Sequence, residues 1–403
     1  MNSTLVNLFQ RSKIVRLILI TLFAALAFSP AFAQNAKNFK ITHGPYLQSL
    51  DETSVTFVWT TDHAGTAWVE LAPDDSSNFY KTERRKYFST SNGLKNIDTV
   101  HRVSINNLEP GKKYRYRVFS QEVLSHNGTK VYYGDVAATR VYRAVPPAFT
   151  TNDHSKKDIS FLMLNDIHER NDVMASLLKD IDKDKPDLIF FNGDMVSNLL
   201  SEKQMFDGFM DTAVKLFASE IPMYYARGNH ETRGNFAGSF PQYFPGPEGK
   251  LYYMFRQGPV CFIVLDSGED KPDSDIEYSG ITAYDEYRDE QAVWLKKALD
   301  SEVFKEAPFK VVISHIPALE GWHGQQEIIE KFVPLLNKAG IDVMLSGHLH
   351  RNLRTAPSEI CNFPIVVNSN NSVLKVSADR QKMNIKVVDT KGALVDSLTI
   401  NKP

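Results

Sequence analysis

Aspartate, asparagine and histidine residues recur in short motifs that directly follow apolar runs of the chain. Carboxylate, amide and imidazole groups with no thiolate among them suit Mn, Fe or Zn, and they argue against a structural cysteine-based zinc site. Two motifs place such side chains at positions i and i+2, which point the same way if the backbone stays extended. In chain order, the motifs are Asp166-Ile167-His168, Gly193-Asp194, Arg227-Gly228-Asn229-His230-Glu231, Ser314-His315 and Gly347-His348-Leu349-His350.

The apolar runs predict buried strands, and helix-compatible stretches separate several of them. Strands bounded by helices indicate an α/β domain with helix-covered sheets. A residue that follows such a strand lies in the crevice at the carboxyl edge of the sheet, where open α/β sheets bind ligands. The predicted strands are Ile159–Leu164, Leu188–Phe191, Met223–Ala226, Val260–Leu265, Val311–Ile313, Val343–Leu345 and Ile365–Val367. The predicted helices are Val173–Ile181, Lys203–Ser219, Asp289–Leu299 and Gln325–Lys338.

Taken singly, each motif is typical of an ordinary turn or surface loop, and only their combination indicates a site. Gly193, Gly228 and Gly347 stand next to the candidate ligands, where a backbone must turn tightly or approach another chain segment closely. The order Asp-x-His, Gly-Asp, Gly-Asn-His-Glu, His, Gly-His-x-His resembles that of the calcineurin-like metallophosphoesterases. The resemblance covers roughly residues 159–351.

The resemblance implies an αββα sandwich that holds two divalent or trivalent metal ions, Fe, Mn or Zn. Asp166, His168 and His350 would hold one ion, Asn229, His315 and His348 would hold the other, and Asp194 would bridge both. A hydroxide bridging the metals would then attack phosphorus, because metal coordination lowers the pKa of water. His230 would face the substrate and protonate the leaving oxygen or stabilise charge there.

Two further residues are candidates for substrate contact. Arg227 could bind phosphate through its guanidinium, or equally pair with a nearby carboxylate. His323 lies in the loop that follows His315. Purple acid phosphatases, which this chain also resembles, place substrate-facing histidines in the similar loop. The alternative is that His323 is a surface histidine with no role.

The N-terminal part, residues 38–147, predicts a β-sandwich. Ser54–Trp59, Ala67–Leu71 and Tyr114–Val118 are rich in β-branched and aromatic residues, and no amphipathic helix separates them. This part resembles a fibronectin type III domain in its Leu108–Tyr114 corner. It also resembles the small N-terminal domain of purple acid phosphatases, which opens with a segment similar to Gly44–Leu47. A linker begins at Val145, and the metallophosphoesterase domain is predicted to span residues 157–403.

The candidate metal site departs from the pattern of purple acid phosphatases at two positions. Those enzymes have a tyrosine three residues after the bridging aspartate, where this chain has Ser197, and a glycine at the position of His168. Without the tyrosine, the phenolate-to-iron charge transfer that gives them their colour is expected to be absent. The metal identity and an acid pH optimum therefore do not follow from the resemblance.

The N-terminus predicts an exported protein. A basic head, an apolar stretch of about a dozen residues and Ala31-Phe32-Ala33 are typical of a signal peptide over residues 1–33, and the stretch is shorter than the ~20 residues of a membrane span. We therefore predict a secreted or periplasmic protein with no stable membrane span. Cys261 and Cys361 could form a disulfide or remain buried thiols.

The chain has 403 residues and a net charge of -2, which provides no basic field for nucleic acid. The predicted function is hydrolysis of phosphate monoesters or diesters of small molecules. A different class of function is a surface- or glycan-binding protein in which the second domain is a catalytic relic. A relic is expected to have lost metal ligands, and this chain retains all of those that the family pattern requires.

Overall fold

The β-branched and aromatic segments of the N-terminal part form a β-rich domain built on one connected sheet. The computed structural model describes residues 39–140 and 144–402. The seven-stranded sheet has the order β1-β2-β7-β8, with β3 and β6 pairing with β2 and β9 pairing with β7, and β4 and β5 form a separate pair. The strands are β1 (Ile41–Gln48), β2 (Ser54–Pro73), β3 (Lys86–Phe88), β4 (Thr90–Ser91), β5 (Leu94–Lys95), β6 (Asp98–Asn106), β7 (Lys113–Asn127), β8 (Lys130–Ala138) and β9 (Ala148–Thr150).

Strand β2 replaces two shorter strands that the sequence predicted separately. Its first half pairs with β6 and its second half with β7, and the register shifts between Thr60 and Gly65. A Cβ atom at Gly65 would lie 2.6 Å from the carbonyl oxygen of Gln121, so the two backbones approach more closely there than a side chain allows. The segments Ser54–Trp59 and Ala67–Leu71 are therefore halves of one bent strand.

Two six-stranded sheets and their covering helices form the rest of the chain. The first has the order β12-β11-β10-β19-β20-β21 and the second the order β13-β14-β15-β16-β18-β17. The strands are β10 (Ile159–Leu164), β11 (Leu188–Phe191), β12 (Met223–Tyr225), β13 (Tyr253–Gln257), β14 (Val260–Val264), β15 (Phe309–Ile313), β16 (Val343–Ser346), β17 (Leu353–Thr355), β18 (Ile365–Val367), β19 (Ser372–Ala378), β20 (Lys382–Asp389) and β21 (Leu394–Asn401).

The helices lie along the chain between these strands. They are α1 (Asn171–Leu177), α2 (Ile181–Asp184), α3 (Glu202–Met205), α4 (Asp211–Ala213), α5 (Phe240–Tyr243), α6 (Tyr284–Leu299), α7 (Glu302–Lys305), α8 (His323–Lys331) and α9 (Val333–Ala339). A π-helical turn at Phe206–Met210 joins α3 to α4, and a second one at Val214–Ala218 extends the same helical segment after α4. Short 3₁₀ turns cover His230–Thr232, Ala237–Ser239, Pro247–Gly249 and Ile276–Tyr278.

Apolar side chains from the two sheets meet in a central core, with helices packed on the outer faces. The rings of Phe161 and Phe190 from the first sheet lie 5.1 Å from the ring of Phe262 in the second. The outer core of the second sheet contains Cys261 and Cys361, which are buried free thiols. The mixed α/β architecture confirms the predicted fold class: a β-rich domain is followed by helix-covered stacked sheets.

The β-rich domain and the two-sheet part belong to one compact unit. Buried tyrosines join them: the hydroxyl of Tyr46 donates to the carbonyl of Tyr243 at 2.9 Å, and that of Tyr116 donates to the carbonyl of Ser219 at 2.7 Å. The predicted signal peptide, residues 1–33, lies outside the described residues. Within residues 39–140 and 144–402, no helix has both the length and the apolar character needed to cross a bilayer.

Candidate metal centre

Five loops that follow strands carry the candidate ligands to one edge of the stacked sheets. β10, β11 and β12 run parallel in the first sheet, and β14, β15 and β16 run parallel in the second. Because the carboxyl ends of parallel strands share an edge, the loops after β10, β11, β12, β15 and β16 can meet there. The structure brings together all the predicted ligands, which are Asp166, His168, Asp194, Asn229, His315, His348 and His350.

The backbone at these ligands turns sharply and is not extended, which corrects the premise of the i, i+2 argument. The φ angles are 53° at Asp166, 47° at His168, 56° at Asp194, 71° at His348 and 52° at His350. Non-glycine residues with positive φ cost roughly 1–3 kcal/mol each and cluster at functional sites. Each of these candidate ligands therefore lies at a sharp turn of its loop. The side chains do not converge by sharing one face of an extended strand.

The glycines beside the ligands lie where other chain segments leave no room for a side chain. A Cβ atom on Gly228 would lie 2.2 Å from Oδ1 of Asp194, and one on Gly347 would lie 2.8 Å from Oδ2 of Asp166. Gly193 has a φ of 79°, and its Cβ would lie 2.6 Å from Nδ1 of His315. The prediction of close backbone approach at these three positions is confirmed.

The first cluster consists of Asp166, His168, Asp194 and His350, each with a ligand atom within 4.8 Å of the others. The Nε2 atom of His350 lies 3.1 Å from Oδ1 of Asp166 and 3.3 Å from Nε2 of His168. The other oxygen of Asp166 accepts the backbone N–H of His348 at 2.9 Å, which fixes the orientation of the carboxylate.

The second cluster consists of Asp194, His315 and His348, under the same distance limit. The Nε2 atom of His315 lies 3.0 Å from Oδ2 of Asp194, and Nδ1 of His348 lies 3.1 Å from Oδ1 of Asn229. Asp194 is thus common to both clusters.

Two buried atoms of these clusters have no hydrogen-bond partner, as is expected of atoms that would contact a metal ion. They are Oδ1 of Asp166 and Nε2 of His315. Nδ1 of His315 contacts the carbonyl of Asn192 at 2.7 Å and must carry a proton there, since a carbonyl can only accept. In the neutral ring, Nε2 then has only a lone pair and faces a carboxylate oxygen at 3.0 Å, so a proton or a cation is needed between them. The oxygen and nitrogen donors fit divalent metal ions.

The pKa shifts in the site follow from burial and from the two carboxylates. Burial alone would lower the pKa of His315, but the Asp194 carboxylate outweighs it and raises this pKa to about 10. Burial raises the pKa of Asp194, yet the facing His315 leaves it well below the usual range. Burial and then the neighbouring His315 lower the pKa of His348 to about 4. The Asp194 carboxylate thus stays ionised, as cation binding requires.

Glu231 is a site residue whose role was not assigned from the sequence. Its carboxylate is buried and accepts the backbone N–H groups of Asp194, Met195 and Gly228 at 2.8, 2.7 and 2.9 Å. The hydroxyl of Tyr225 donates to it at 3.0 Å. Glu231 therefore clamps the loop after β11 to the loop after β12. The sequence shows Glu231 beside His230 in the motif, but two of its partners, Asp194 and Met195, are distant in sequence.

His230 lies on the open side of the clusters. Its Nδ1 contacts the carbonyl of Ser197 at 2.6 Å, so this nitrogen carries the proton. Its Nε2 lies 3.9 Å from Oδ2 of Asp194, and its backbone N–H donates to Oδ1 of the same residue at 3.0 Å. The ring is partly exposed, so Nε2 is accessible from the cleft.

The other two candidates for substrate contact, Arg227 and His323, do not line the cleft beside the two clusters. Arg227 is largely buried and pairs with the buried Asp266, with Nη2 and Oδ2 at 2.8 Å, which is the carboxylate alternative raised from the sequence. His323 begins α8, and its Nε2 lies 2.7 Å from Oδ1 of Asp285. Substrate contact at these two residues stays a prediction, and in the structure each side chain pairs with a carboxylate, Asp266 after β14 and Asp285 in α6.

A cleft of about 540 Å³ opens beside the clusters. Its floor includes Asp194, Asn229, His230, His348 and His350. Its walls come mainly from the loops after β14, β15 and β16, including Lys271, Trp322 and Arg351. The cleft gives a small substrate access to both clusters at once.

Family comparisons agree with this architecture. Residues 159–352 match the calcineurin-like phosphoesterase family, and residues 44–134 match the purple acid phosphatase N-terminal domain. The chain therefore carries a calcineurin-like phosphoesterase domain behind a purple acid phosphatase N-terminal domain. This pairing confirms the resemblance found from the motifs.

Among curated proteins, the chain is similar to two Arabidopsis thaliana enzymes. It is 28% identical to purple acid phosphatase 18 over 35% of this chain and 33% of that protein. It is 26% identical to purple acid phosphatase 21 over 77% of this chain and 65% of that protein. It is also 29% identical to the probable glycerophosphodiester phosphodiesterase GpdQ of Arcobacter nitrofigilis, over 42% of this chain and 58% of that protein. The chain thus spans from a third to just under two thirds of the length of these relatives.

Among solved structures, the protein TT1561 of Thermus thermophilus aligns with 60% of this chain and 98% of its own, at 13% identity and a TM-score of 0.36. That score is too low to support an argument about function.

Proposed function

We propose that this protein is an exported hydrolase of phosphate esters that uses two metal ions. The observation that carries the proposal is the position of Asp194, whose carboxylate belongs to both ligand clusters. A carboxylate shared in this way is typical of sites in which two cations act together on one substrate.

Each metal would have its own set of protein ligands. Asp166, His168 and His350 would hold one ion, and Asn229, His315 and His348 the other. The orphaned atoms of Asp166 and His315 support this division, since each belongs to a different set. When bound, Fe, Mn or Zn ions supply Lewis-acid stabilisation of phosphate oxygens and lower the pKa of water.

The charge balance of the site suits a phosphate ester. Asp166 and Asp194 contribute about two negative charges, whereas two divalent ions bring about four positive ones, so the loaded site attracts an anionic phosphate. Because the carboxylates are buried, water screens these charges less than it would at the surface.

His230 would act as the acid toward the leaving oxygen. Its Nδ1–H is held by the carbonyl of Ser197, so the ring has a fixed orientation, and Nε2 faces the cleft. In the imidazolium form, Nε2 carries the proton that a leaving alkoxide needs. Arg227 is not included in this role, because its guanidinium is already paired with Asp266.

The substrate is proposed to be a small phosphorylated molecule, either a monoester or a diester. The similarity to purple acid phosphatases favours monoesters, and the similarity to GpdQ favours diesters. Export is proposed from the signal-like residues 1–33, with secretion or the periplasm as the destination. The N-terminal domain, proposed to end near residue 147 and to be of fibronectin type III type, has no assigned chemistry.

The second candidate function is a surface- or glycan-binding protein with an inactive second domain. The complete set of convergent ligands argues against it, since a relic is free to lose any of them. Metal content and turnover separate the two functions.

The test is metal analysis of the purified full chain, combined with kcat/KM for a panel of phosphate mono- and diesters. We expect about two metal ions per chain and metal-dependent hydrolysis of at least one ester class. The Asp194→Asn variant is the matched control, because it keeps the size of the side chain and removes the shared charge. A wild-type chain that binds metals but hydrolyses no ester would favour the binding-protein alternative.

A further inference from the structure

An exposed tryptophan lines the wall of the cleft that leads to the metal centre. Trp322 borders the same cleft as His230 and His348. We propose that its indole ring is a stacking platform for a planar ring in the leaving group, so that the site prefers phosphate esters of aryl or heteroaryl molecules. This inference rests on the proposed function and names the substrate class of that same site.

The exposure of Trp322 sets it apart from two other tryptophans of the chain. Its relative exposure is 59%, compared with 0% for Trp59 and 9% for Trp68, which are core residues. An aromatic ring that lines a cleft offers a ligand a large apolar contact surface. A bound ring would remove this surface from water at little cost in side-chain entropy, since an indole has only two side-chain torsions.

The backbone that carries Trp322 is firmly anchored. The N–H of Trp322 donates to Oε1 of Gln325 at 2.8 Å, and the N–H of Gly324 donates to the carbonyl of Asp270 at 2.9 Å. A Cβ atom at Gly324 would lie 2.4 Å from the carbonyl oxygen of Glu269, so this turn fits tightly against the neighbouring loop. The ring therefore projects from a fixed base, which reduces the ordering cost of binding.

The ammonium of Lys271, which lies over the indole, is already paired. Nζ of Lys271 lies 6.0 Å from the ring centroid, at the outer limit of a cation–π contact. The same ammonium pairs with Glu277. Lys271 is therefore not a free cation at the indole, and the ring surface there suits a planar ring better than a second anionic group.

The experiment measures a selectivity ratio on the metal-loaded full chain. We would determine kcat/KM for p-nitrophenyl phosphate, adenosine 5′-monophosphate and glycerol 3-phosphate. The selectivity ratio is kcat/KM for each of the two ring-containing esters divided by kcat/KM for glycerol 3-phosphate. Comparing this ratio between wild type and variant cancels the intrinsic reactivity of each leaving group. The variants are Trp322→Ala and Trp322→Phe, and the matched control is Tyr132→Ala, which removes an aromatic ring of 59% exposure from β8.

We expect Trp322→Ala to lower the ratio by about 10-fold, within the range found for ring stacking on aromatic side chains. Trp322→Phe should restore part of it, and Tyr132→Ala should leave it unchanged. A fall for the adenosine ester alone would identify a nucleobase as the ring, and a fall for the nitrophenyl ester alone would identify a simple aryl group. An unchanged ratio for both ring esters would overturn the inference.

A binding measurement separates this inference from the proposed function. Calorimetric titration with 1-naphthylphosphonate, which cannot be hydrolysed as an ester, needs no turnover. We expect Trp322→Ala to weaken its affinity by about 10-fold relative to wild type and to Tyr132→Ala. If no ester is hydrolysed but this loss occurs, the proposed function fails and the ring platform stands. Equal affinity of wild type, Trp322→Ala and Tyr132→Ala for 1-naphthylphosphonate would contradict the stacking role of Trp322, whether or not the protein hydrolyses esters.

Discussion

The carboxylate of Glu231 accepts the backbone N–H of Asp194 at 2.8 Å, so a buried acid from one loop fixes the residue that both candidate clusters share. The same carboxylate oxygen accepts the N–H of Gly228 at 2.9 Å. Burial and then the nearby Asp194 raise the pKa of Glu231. Four donors converge on this one side chain, and it therefore helps to determine where Asp194 lies.

The substitution Glu231→Gln should disrupt this arrangement. The amide NH₂ cannot accept, so one or more backbone N–H groups would be left buried without a partner, at a cost of about 1–3 kcal/mol. Metal affinity should fall by roughly 10–100-fold, as it does when groups that orient ligands are removed. Urea denaturation and metal titration would measure the two effects. Glu290→Gln, at an exposed pair with Lys250, is the matched control; an equal effect of both substitutions would contradict the clamp.

A methyl group at Gly228 should displace the shared ligand. In Gly228→Ala, the new Cβ would lie 2.2 Å from Oδ1 of Asp194, so the carboxylate or the loop must move. We expect a loss of at least about 10-fold in metal affinity, because ligand geometry is set to within a few tenths of an ångström. Gly238→Ala is the control, since no atom lies within 4 Å of its Cβ position. Wild-type metal affinity in Gly228→Ala would show that the loop can relax freely.

Removal of His230 should separate metal binding from turnover. His230→Ala is expected to retain both metal ions and to lose about 100- to 10,000-fold in kcat, the usual contribution of a positioned acid. Metal content by mass spectrometry and steady-state kinetics on the preferred ester would check this. Asp194→Asn should instead lose metal. A metal-depleted His230→Ala protein would mean that this histidine has been assigned the wrong role.

Removal of the metals should lower the stability of the fold. Asp166 and Asp194 are buried carboxylates in adjoining clusters, and bound cations stabilise the folded state that presents them. At 100 times the dissociation constant, one site contributes about 2.7 kcal/mol. Differential scanning calorimetry should show a lower Tm after dialysis against a chelator and recovery when Mn²⁺ or Zn²⁺ is restored. Asp194→Asn should show a much smaller shift, and an equal shift in both proteins would place the stabilising metal elsewhere.

The iron-loaded protein should lack a strong visible absorption band. Position 197 is a serine, whose hydroxyl donates to the Glu169 carboxylate at 2.8 Å, and it supplies no phenolate. Absorption spectra of the iron-loaded protein and of the chelated protein would be compared across the visible range. An intense band in the iron-loaded sample alone would imply a phenolate ligand and contradict the assigned ligand set.

Local patterns in the sequence predicted several elements with their observed bounds. Ile159–Leu164, Leu188–Phe191 and Ile365–Val367 are strands as predicted. The predicted helix Gln325–Lys338 is instead two helices, α8 and α9, which meet at Phe332. Pro334 explains the break, because proline removes an N–H from the helix ladder and its ring is tolerated only in a first turn.

The sequence by itself determined which residue types could bind metal and which strands they follow, because apolar periodicity and motif order are local properties of the chain. Only the tertiary structure decided the left-handed backbone at Asp166 and His348, the clamp formed by Glu231 and the pairing of Arg227 with Asp266. These features depend on which distant segment fills the space around each group. Asp194 and Glu231 are 37 residues apart in the chain, and only the parallel alignment of β11 and β12 brings their loops into contact.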